Sequence, residues 1–237
     1  MTGPDVRHVG RCILTRGKRV WDFARSHSDQ IDAHWNLRVA SNPSFFNGRI
    51  YMLADYRITG DTLAGELMEV EFKQFLYWKE NGFPDKAVFD VFGSGLIRSS
   101  EGAVLLGRQR SGNLNEGWVY LPGGFIDPRD ADADGRVDIR ASVLREVQEE
   151  TGLGPDQLTV RNGFLVTTIG QQVSIAVDLI SKEDAPSLHA RVRRALVDGS
   201  DFELDDVVTV TSAEEVAKLK VPAYAETLLS HVLGACS

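Results

Sequence analysis

Cysteine is nearly absent from this sequence. Cys12 and Cys236 stand near opposite ends of the 237 residues, neither with a second thiol at metal-ligand spacing. That argues against a disulfide framework and for a reducing cytoplasm. Long apolar runs are missing too. No stretch reaches the roughly 18 apolar residues of a membrane span, and the opening "MTGPDVRHVGRCILTRGKRV" lacks the apolar centre of a signal peptide. A soluble cytoplasmic protein with no membrane partner is expected. Positive charge is outweighed, 26 Lys and Arg against 34 Asp and Glu: the formal net charge is −8 and no Lys/Arg cluster stands out, so a nucleic acid polymer is not expected as partner. Small phosphorylated ligands stay open, because a divalent cation inverts the charge of an acidic site. With 43% apolar residues the chain builds a real core, as one large domain or two small ones.

The pattern divides near residue 88. In the first part, 9–14 reads as a strand and 20–40 as an amphipathic helix, and "SNPSFFNG" (41–48) as a turn. Strands follow at 49–58 and 62–70, then a short helix that stops at Gly82. These make a small α+β unit, residues 1–88. The second part, 89–237, opens with two strands in 91–110 and a short one that ends in "PGG" (122–124). A helix spans 138–152, with Ile139, Val143 and Val147 as an apolar stripe and Gly152 as its stop. Paired strands (158–169 and 171–180), a helix at 185–197, the strand "DVVTVT" and two helical segments complete it.

The 138–152 helix carries the chemistry. Glu146, Glu149 and Glu150 are spaced i, i+3, i+4 and share a face in the last two turns. Carboxylates there repel one another and oppose the helix dipole, each at a cost of a few tenths to about 1 kcal/mol. Arg145 pairs with Glu149 one turn on, yet one arginine does not neutralise three glutamates. A hard cation with oxygen ligands does, which suits magnesium or manganese; the other reading is a solvated acidic face.

The stretch "REVQEETGL" (145–153), preceded by "PGG", resembles the signature of the Nudix hydrolases: G, five residues, E, seven residues, R-E-U-x-E-E-x-G-U, with U aliphatic. Arg145, Glu146, Val147, Glu149, Glu150, Gly152 and Leu153 fill the second half without mismatch. The first half departs from it. Counted back from Arg145, the leading glutamate falls on Val137, and Gly124 lies seven residues too far away, as if "RDADADG" were an insertion. Within it Asp130, Asp132, Asp134, Gly135 and Asp138 fall at positions 1, 3, 5, 6 and 9 of a calcium loop, but position 12 is Ala141 where a bidentate glutamate is needed. A polar loop whose Asp138 caps the helix is the preferred reading.

The resemblance implies an α/β fold: a Nudix α/β/α sandwich around a mixed sheet, here preceded by the small N-terminal unit. It implies Glu146, Glu149 and Glu150 as ligands of Mg²⁺ or Mn²⁺, the Gly124 carbonyl as a further ligand, and Arg145 orienting the carboxylates. The reaction is attack of activated water on a diphosphate linkage. Glu203 matches a loop glutamate that acts as base or extra ligand in many members, or else is a solvated acid. The family commonly forms dimers, so a homodimer is a further expectation. Residues 34–53 and 72–82 resemble, more loosely, a branch whose animal members hydrolyse UDP-glucose and UDP-galactose and whose box loop is also lengthened. In "NPSFFNGR", Phe45 and Phe46 offer apolar or stacking surfaces, Asn47 an amide and Arg49 a phosphate fork; the phenylalanines read equally as pins between the two units. The expected function is cleavage of a nucleoside diphosphate derivative, an NDP-sugar first. The alternative is a catalytically weakened Nudix fold that senses a nucleotide.

Overall fold

The computed structural model describes residues 3–110, 117–198 and 203–234, so Cys236 lies outside the described residues. In chain order the elements are β1 (Asp5–Val9), β2 (Arg11–Arg16), α1 (Asp22–Ser26), α2 (Ser28–Ser41), β3 (Arg49–Thr59), β4 (Thr62–Glu71), α3 (Phe72–Glu80), β5 (Asp90–Arg98), β6 (Val104–Gln109), β7 (Val119–Tyr120), β8 (Arg136–Val137), α4 (Ile139–Thr151), β9 (Leu158–Val160), β10 (Phe164–Ile169), β11 (Gln172–Ser181), α5 (Ala185–Asp198), β12 (Leu204–Val210), α6 (Ala213–Val216) and α7 (Ala223–Gly234).

The larger sheet runs β1-β10-β11-β5-β6-β12, with β7 on β6 and β9 on β11. It is mixed, since β11 and β5 run parallel while β5 and β6 run antiparallel. The residues of β5 are buried almost throughout, as a central strand covered on both faces requires. Its odd-numbered residues pack with α4 and α5 in one core that includes Val91, Ile97, Val143, Val147, Leu188 and Val192. Leu96, Val104 and Leu106 pack under α7 in a second. This is the expected α/β/α sandwich. The smaller sheet, β3-β4-β2-β8, puts Ile50, Met52, Met68 and Val70 against α1–α3 in a third core with Trp21, Ile31 and Trp78. Its other face, through Leu14, Tyr51, Leu53 and Leu67, joins the core under α4.

The two parts of the chain exchange strands. The expected strand at 9–14 is two, broken at Gly10, whose N–H bonds Asp61 O at 3.0 Å. β1 pairs with β10 in the larger sheet, while β2 pairs with β4 in the smaller. In return β8, from the insertion, pairs with β2. The expected helix at 20–40 is also two, parted at His27, whose ring stacks on Phe23 at 4.2 Å with Nδ1 2.8 Å from the Phe23 carbonyl oxygen. Among the described residues, no helix is long and apolar enough to cross a membrane.

Candidate active site

Helix α4 is placed by its cap and its inner face. The Asp138 side chain accepts from the N–H groups of Arg140 and Ala141 at 3.1 Å each, the N-cap that the sequence suggests. Ile139, Val143 and Val147 are buried against β5. Gly93 and Gly95 face them: a Cβ on Gly93 would stand 2.5 Å from Val143, so only glycine lets the helix lie this close.

The "PGG" turn hangs from the same strand. Gly95 N–H donates to Pro122 O (2.6 Å) and Gly93 N–H to Gly124 O (3.1 Å). Gly123 then donates its N–H to Glu150 Oε2 at 2.9 Å. Gly123 has φ +155° and any Cβ there would collide with the Gly93 carbonyl. Gly123→Ala is expected to destabilise the protein by on the order of 3 kcal/mol, read as a lowered thermal midpoint.

The three glutamates are not equivalent. Glu150 is buried, with 6% of its surface exposed, whereas the Glu149 side chain is 57% exposed. Burial pushes the Glu150 pKa up to about 8; repulsion from Glu203, Glu146 and Glu149 adds to this, and the Gly123 N–H partly offsets it. Glu146 is also raised, by burial first, with Arg145 opposing. A Cβ on residue 124 would stand only 2.7 Å from its Oε2. Arg145 bonds Glu146 Oε1 at 2.8 Å and lies 3.8 Å from Glu149 Oε1, the expected i, i+4 pair at long range.

The first half of the box needs a correction. Val137 does not occupy the leading acid's place: it is buried at 8% exposure, pairs with Leu14 across β2 and β8, and packs in the core. The acid is Asp130, separated from Gly124 by five residues as the signature requires. Its side chain is 1% exposed and takes a 2.6 Å bond from Arg145 Nη1. The seven extra residues therefore follow the acid, at 131–137, and form a hairpin: Ala131 bridges Val137, and Asp132 N–H donates to Arg136 O at 2.9 Å. Three of the four candidate calcium aspartates are engaged elsewhere or within it. Asp132 Oδ1 accepts from the N–H groups of Asp134 and Arg136, Asp130 serves Arg145, and Asp138 caps α4. Counting forward from Gly124, with aspartate admitted for glutamate, is the signal that finds Asp130.

Other sequence candidates fall as follows. Glu203 comes close enough to Glu150 for the two charges to repel, and its carbonyl accepts from Arg110 N–H at 3.0 Å. Phe45 is stacked against Trp35 at 6.2 Å and edge-on to Phe72, which meets Phe125 beside the glycine turn. Asn47 donates to Glu71 Oε2 (2.7 Å) and accepts from Lys73 N–H (3.0 Å), tying its loop to the start of α3. Phe46 is 81% exposed, and Arg49 is exposed beside Glu69 at 3.7 Å. His189 Nε2 lies 3.0 Å from Val207 O, and Trp118 packs under Lys220. Tyr120 had no sequence signal; burial, with Glu150 and Glu203 nearby, raises its phenol above the ordinary range.

Among the described residues, no three or more His, Cys, Asp or Glu side chains are grouped so as to hold a metal ion as they stand. The donor set nevertheless fits a hard divalent cation that keeps waters and substrate oxygens in its shell: carboxylates of Glu146, Glu149 and Glu150, repelling one another beside a glycine turn, with one arginine already shared with Asp130.

The family model described as NUDIX domain matches residues 93–228, more than half of the chain. The chain belongs to the Nudix family. As a Nudix hydrolase it is a pyrophosphatase acting on phosphoric anhydrides, in a family that generally uses divalent cations. No curated protein matches it. Among solved structures it is similar to a Nudix hydrolase from M. smegmatis, RenU (19% identity, TM-score 0.43, covering 63% of this chain and 89% of that one). It is similar also to the NUDIX domain of Shewanella oneidensis NrtR complexed with ADP ribose (19%, TM-score 0.41, 68% and 97%). A third is the bifunctional NMN adenylyltransferase/ADP ribose pyrophosphatase from Francisella tularensis (15%, TM-score 0.45, 68% of this chain but 46% of that one).

Proposed function

We propose that this Nudix hydrolase cleaves the diphosphate of a nucleoside diphosphate linked to a sugar, with Glu146, Glu149 and Glu150 and the Gly124 carbonyl as the ligands of Mg²⁺ or Mn²⁺. The observation that carries the hydrolytic site is the convergence of Glu150 and Glu146 on the glycine turn hung from β5, with Glu203 near enough to Glu150 to repel it. A cation held by these residues would lower the pKa of a water and neutralise charge on the phosphoryl oxygens. Arg145, held by Asp130, fixes the Glu146 carboxylate. The Glu203 carboxylate takes the proton of the attacking water. The Tyr120 phenol, kept protonated, donates to a substrate oxygen. On the small sheet's side, exposed Phe46 and Arg49 meet the substrate while Phe45 and Asn47 hold their loop in place. The sugar rests on the likeness of 34–53 and 72–82 to the UDP-sugar branch.

The experiment is a substrate panel (UDP-glucose, ADP-ribose, a dinucleotide and a nucleoside triphosphate) with Mg²⁺, Mn²⁺, Ca²⁺ or chelator, scored for nucleoside monophosphate release. NDP-sugar cleavage at a kcat/KM at least tenfold above the other compounds is expected, with calcium and chelator silent. Preference for ADP-ribose would replace the sugar, and ligand binding without turnover would turn the reading to a sensor.

A further inference from the structure

The larger sheet carries a second cleft, on the face away from the box. Gly93 and Gly95 of β5 face α4, whereas the even-numbered residues face α7, where Leu96, Leu165 and Ala176 share a core with Val232. Beyond that core the same rows turn polar. Arg98 follows Leu96 on β5, Asp178 follows Ala176 on β11, and the register sets His8 of β1 beside Leu165. Together with Arg161, and with His231 from the last turn of α7, they line a cleft of about 650 Å³, within the size range of small-molecule sites. The box lies elsewhere. Glu150 acts on Tyr224 in the first turn of α7, and His231 is seven residues farther along, about 10 Å up the helix.

The walls of the cleft are held in place. Arg98 Nε donates to Asp178 Oδ1 at 2.9 Å, the two side chains being 15% and 16% exposed. Arg161 Nη1 donates to the other oxygen at 3.5 Å, so one carboxylate turns two guanidinium forks toward the same space. The loop that carries Arg161 is fixed on both sides. Arg161 N–H donates to Asp178 O at 2.9 Å, its carbonyl accepts from Arg140 Nη1 at 3.0 Å, and the Arg140 guanidinium sits 4.9 Å over the Phe164 ring. Gly163, at φ +81°, lets the loop pass His8, since a Cβ there would stand 2.5 Å from His8 Nε2.

The charge of the cleft selects an anion. Two arginines and two histidines face one aspartate, in a chain whose net charge is −8. Guanidinium forks take phosphate oxygens in pairs, and a protonated His231 offsets the negative end of the α7 dipole. Leu165 and Val160 add an apolar wall, which suits an organic phosphate better than a bare one. The chain's own reaction makes such compounds: hydrolysis of a linkage X–P–P–Y adds water across one P–O bond of the bridge and releases two phosphomonoesters, X–P and Y–P.

We propose that this cleft is a second ligand site, which takes a phosphomonoester with its phosphate on Arg98 and Arg161 and its organic part over Leu165. The site rests on the pyrophosphatase reading for its class of ligand, and not on the choice of sugar.

The test is calorimetric titration of the full chain with UMP in the presence of chelator, where no cation holds phosphate at the box. A Kd of about 1 mM or tighter is expected. Arg161→Glu reverses one charge at a side chain that is 61% exposed and should weaken binding roughly tenfold or more, while Glu150→Gln should leave it unchanged. In ¹H NMR the ring signals of His8 and His231 should move on addition of UMP, and those of His27, His34 and His189 should stay. No binding, binding undiminished in Arg161→Glu, binding lost in Glu150→Gln, or unmoved signals of His8 and His231 overturns the site. Inorganic phosphate binding as tightly as UMP overturns the phosphomonoester as its ligand. Mg²⁺-dependent turnover of the substrate panel, measured alongside, tests the pyrophosphatase reading by itself, so the two can fail separately.

Discussion

Glu150→Gln is expected to lower kcat by a factor on the order of 10³ or more while leaving the fold intact. Glutamine keeps an oxygen to accept the Gly123 N–H, so the turn stays anchored. What it removes is a carboxyl that must ionise to hold a cation, at a buried position that Glu203, Glu146 and Glu149 make hostile to negative charge. The thermal midpoint of the cation-free protein should therefore equal or exceed that of the wild type. Such a pairing separates a group retained for chemistry from one retained for stability. Steady-state kinetics at saturating Mg²⁺ beside a melting curve reads both; activity within tenfold of the wild type would remove Glu150 from the reaction.

Asp130→Ala should damage both properties. Its carboxylate is 1% exposed and bonded to an arginine that is itself only 28% exposed. Breaking a buried ion pair by deleting one partner costs about 3–5 kcal/mol, because the other charge is stranded; with Arg145 partly in contact with water, about 2 kcal/mol is expected. Arg145 would then lose half of its anchoring and Glu146 its orientation, lowering kcat by roughly 10- to 100-fold. Asp130→Glu restores the family's residue and should retain most of the activity. Val137→Glu, which places an acid eight residues before Arg145 as the unbroken signature would have it, should not rescue Asp130→Ala. It buries a carboxylate in the core of Leu14 and Ile139 and should destabilise further. Rescue by Val137→Glu would overturn the assignment of Asp130.

The second half of the box was legible because nine contiguous residues, seven in the last turns of one helix and two at its cap, hold their spacing whatever surrounds them. α4 and its Asp138 cap follow from local rules alone. The first half misled because counting back from Arg145 crosses the hairpin, and only the fold shows that the extra residues follow Asp130. The break between α1 and α2 has no proline or glycine to announce it; it rests on His27 packing onto Phe23. The exchange of β1 and β8 between sheets was invisible for another reason. Pairing of β2 with β4 and β8 joins residues that lie far apart in the chain, and alternation of apolar residues says that a strand has a buried face but not which strand lies beside it. In sequence the phenylalanines at 45 and 46 look alike, yet one is stacked under Trp35 and the other is exposed.

The central claim, that the box glutamates drive hydrolysis of a diphosphate with a divalent cation, is tested most directly by following UDP-glucose with ³¹P NMR in ¹⁸O-labelled water with Mg²⁺. Conversion to a nucleoside monophosphate and a sugar phosphate, with one ¹⁸O in one product, none with chelator and none with Glu150→Gln, is the predicted result. Conversion that persists in the presence of chelator, or is undiminished in Glu150→Gln, would contradict it.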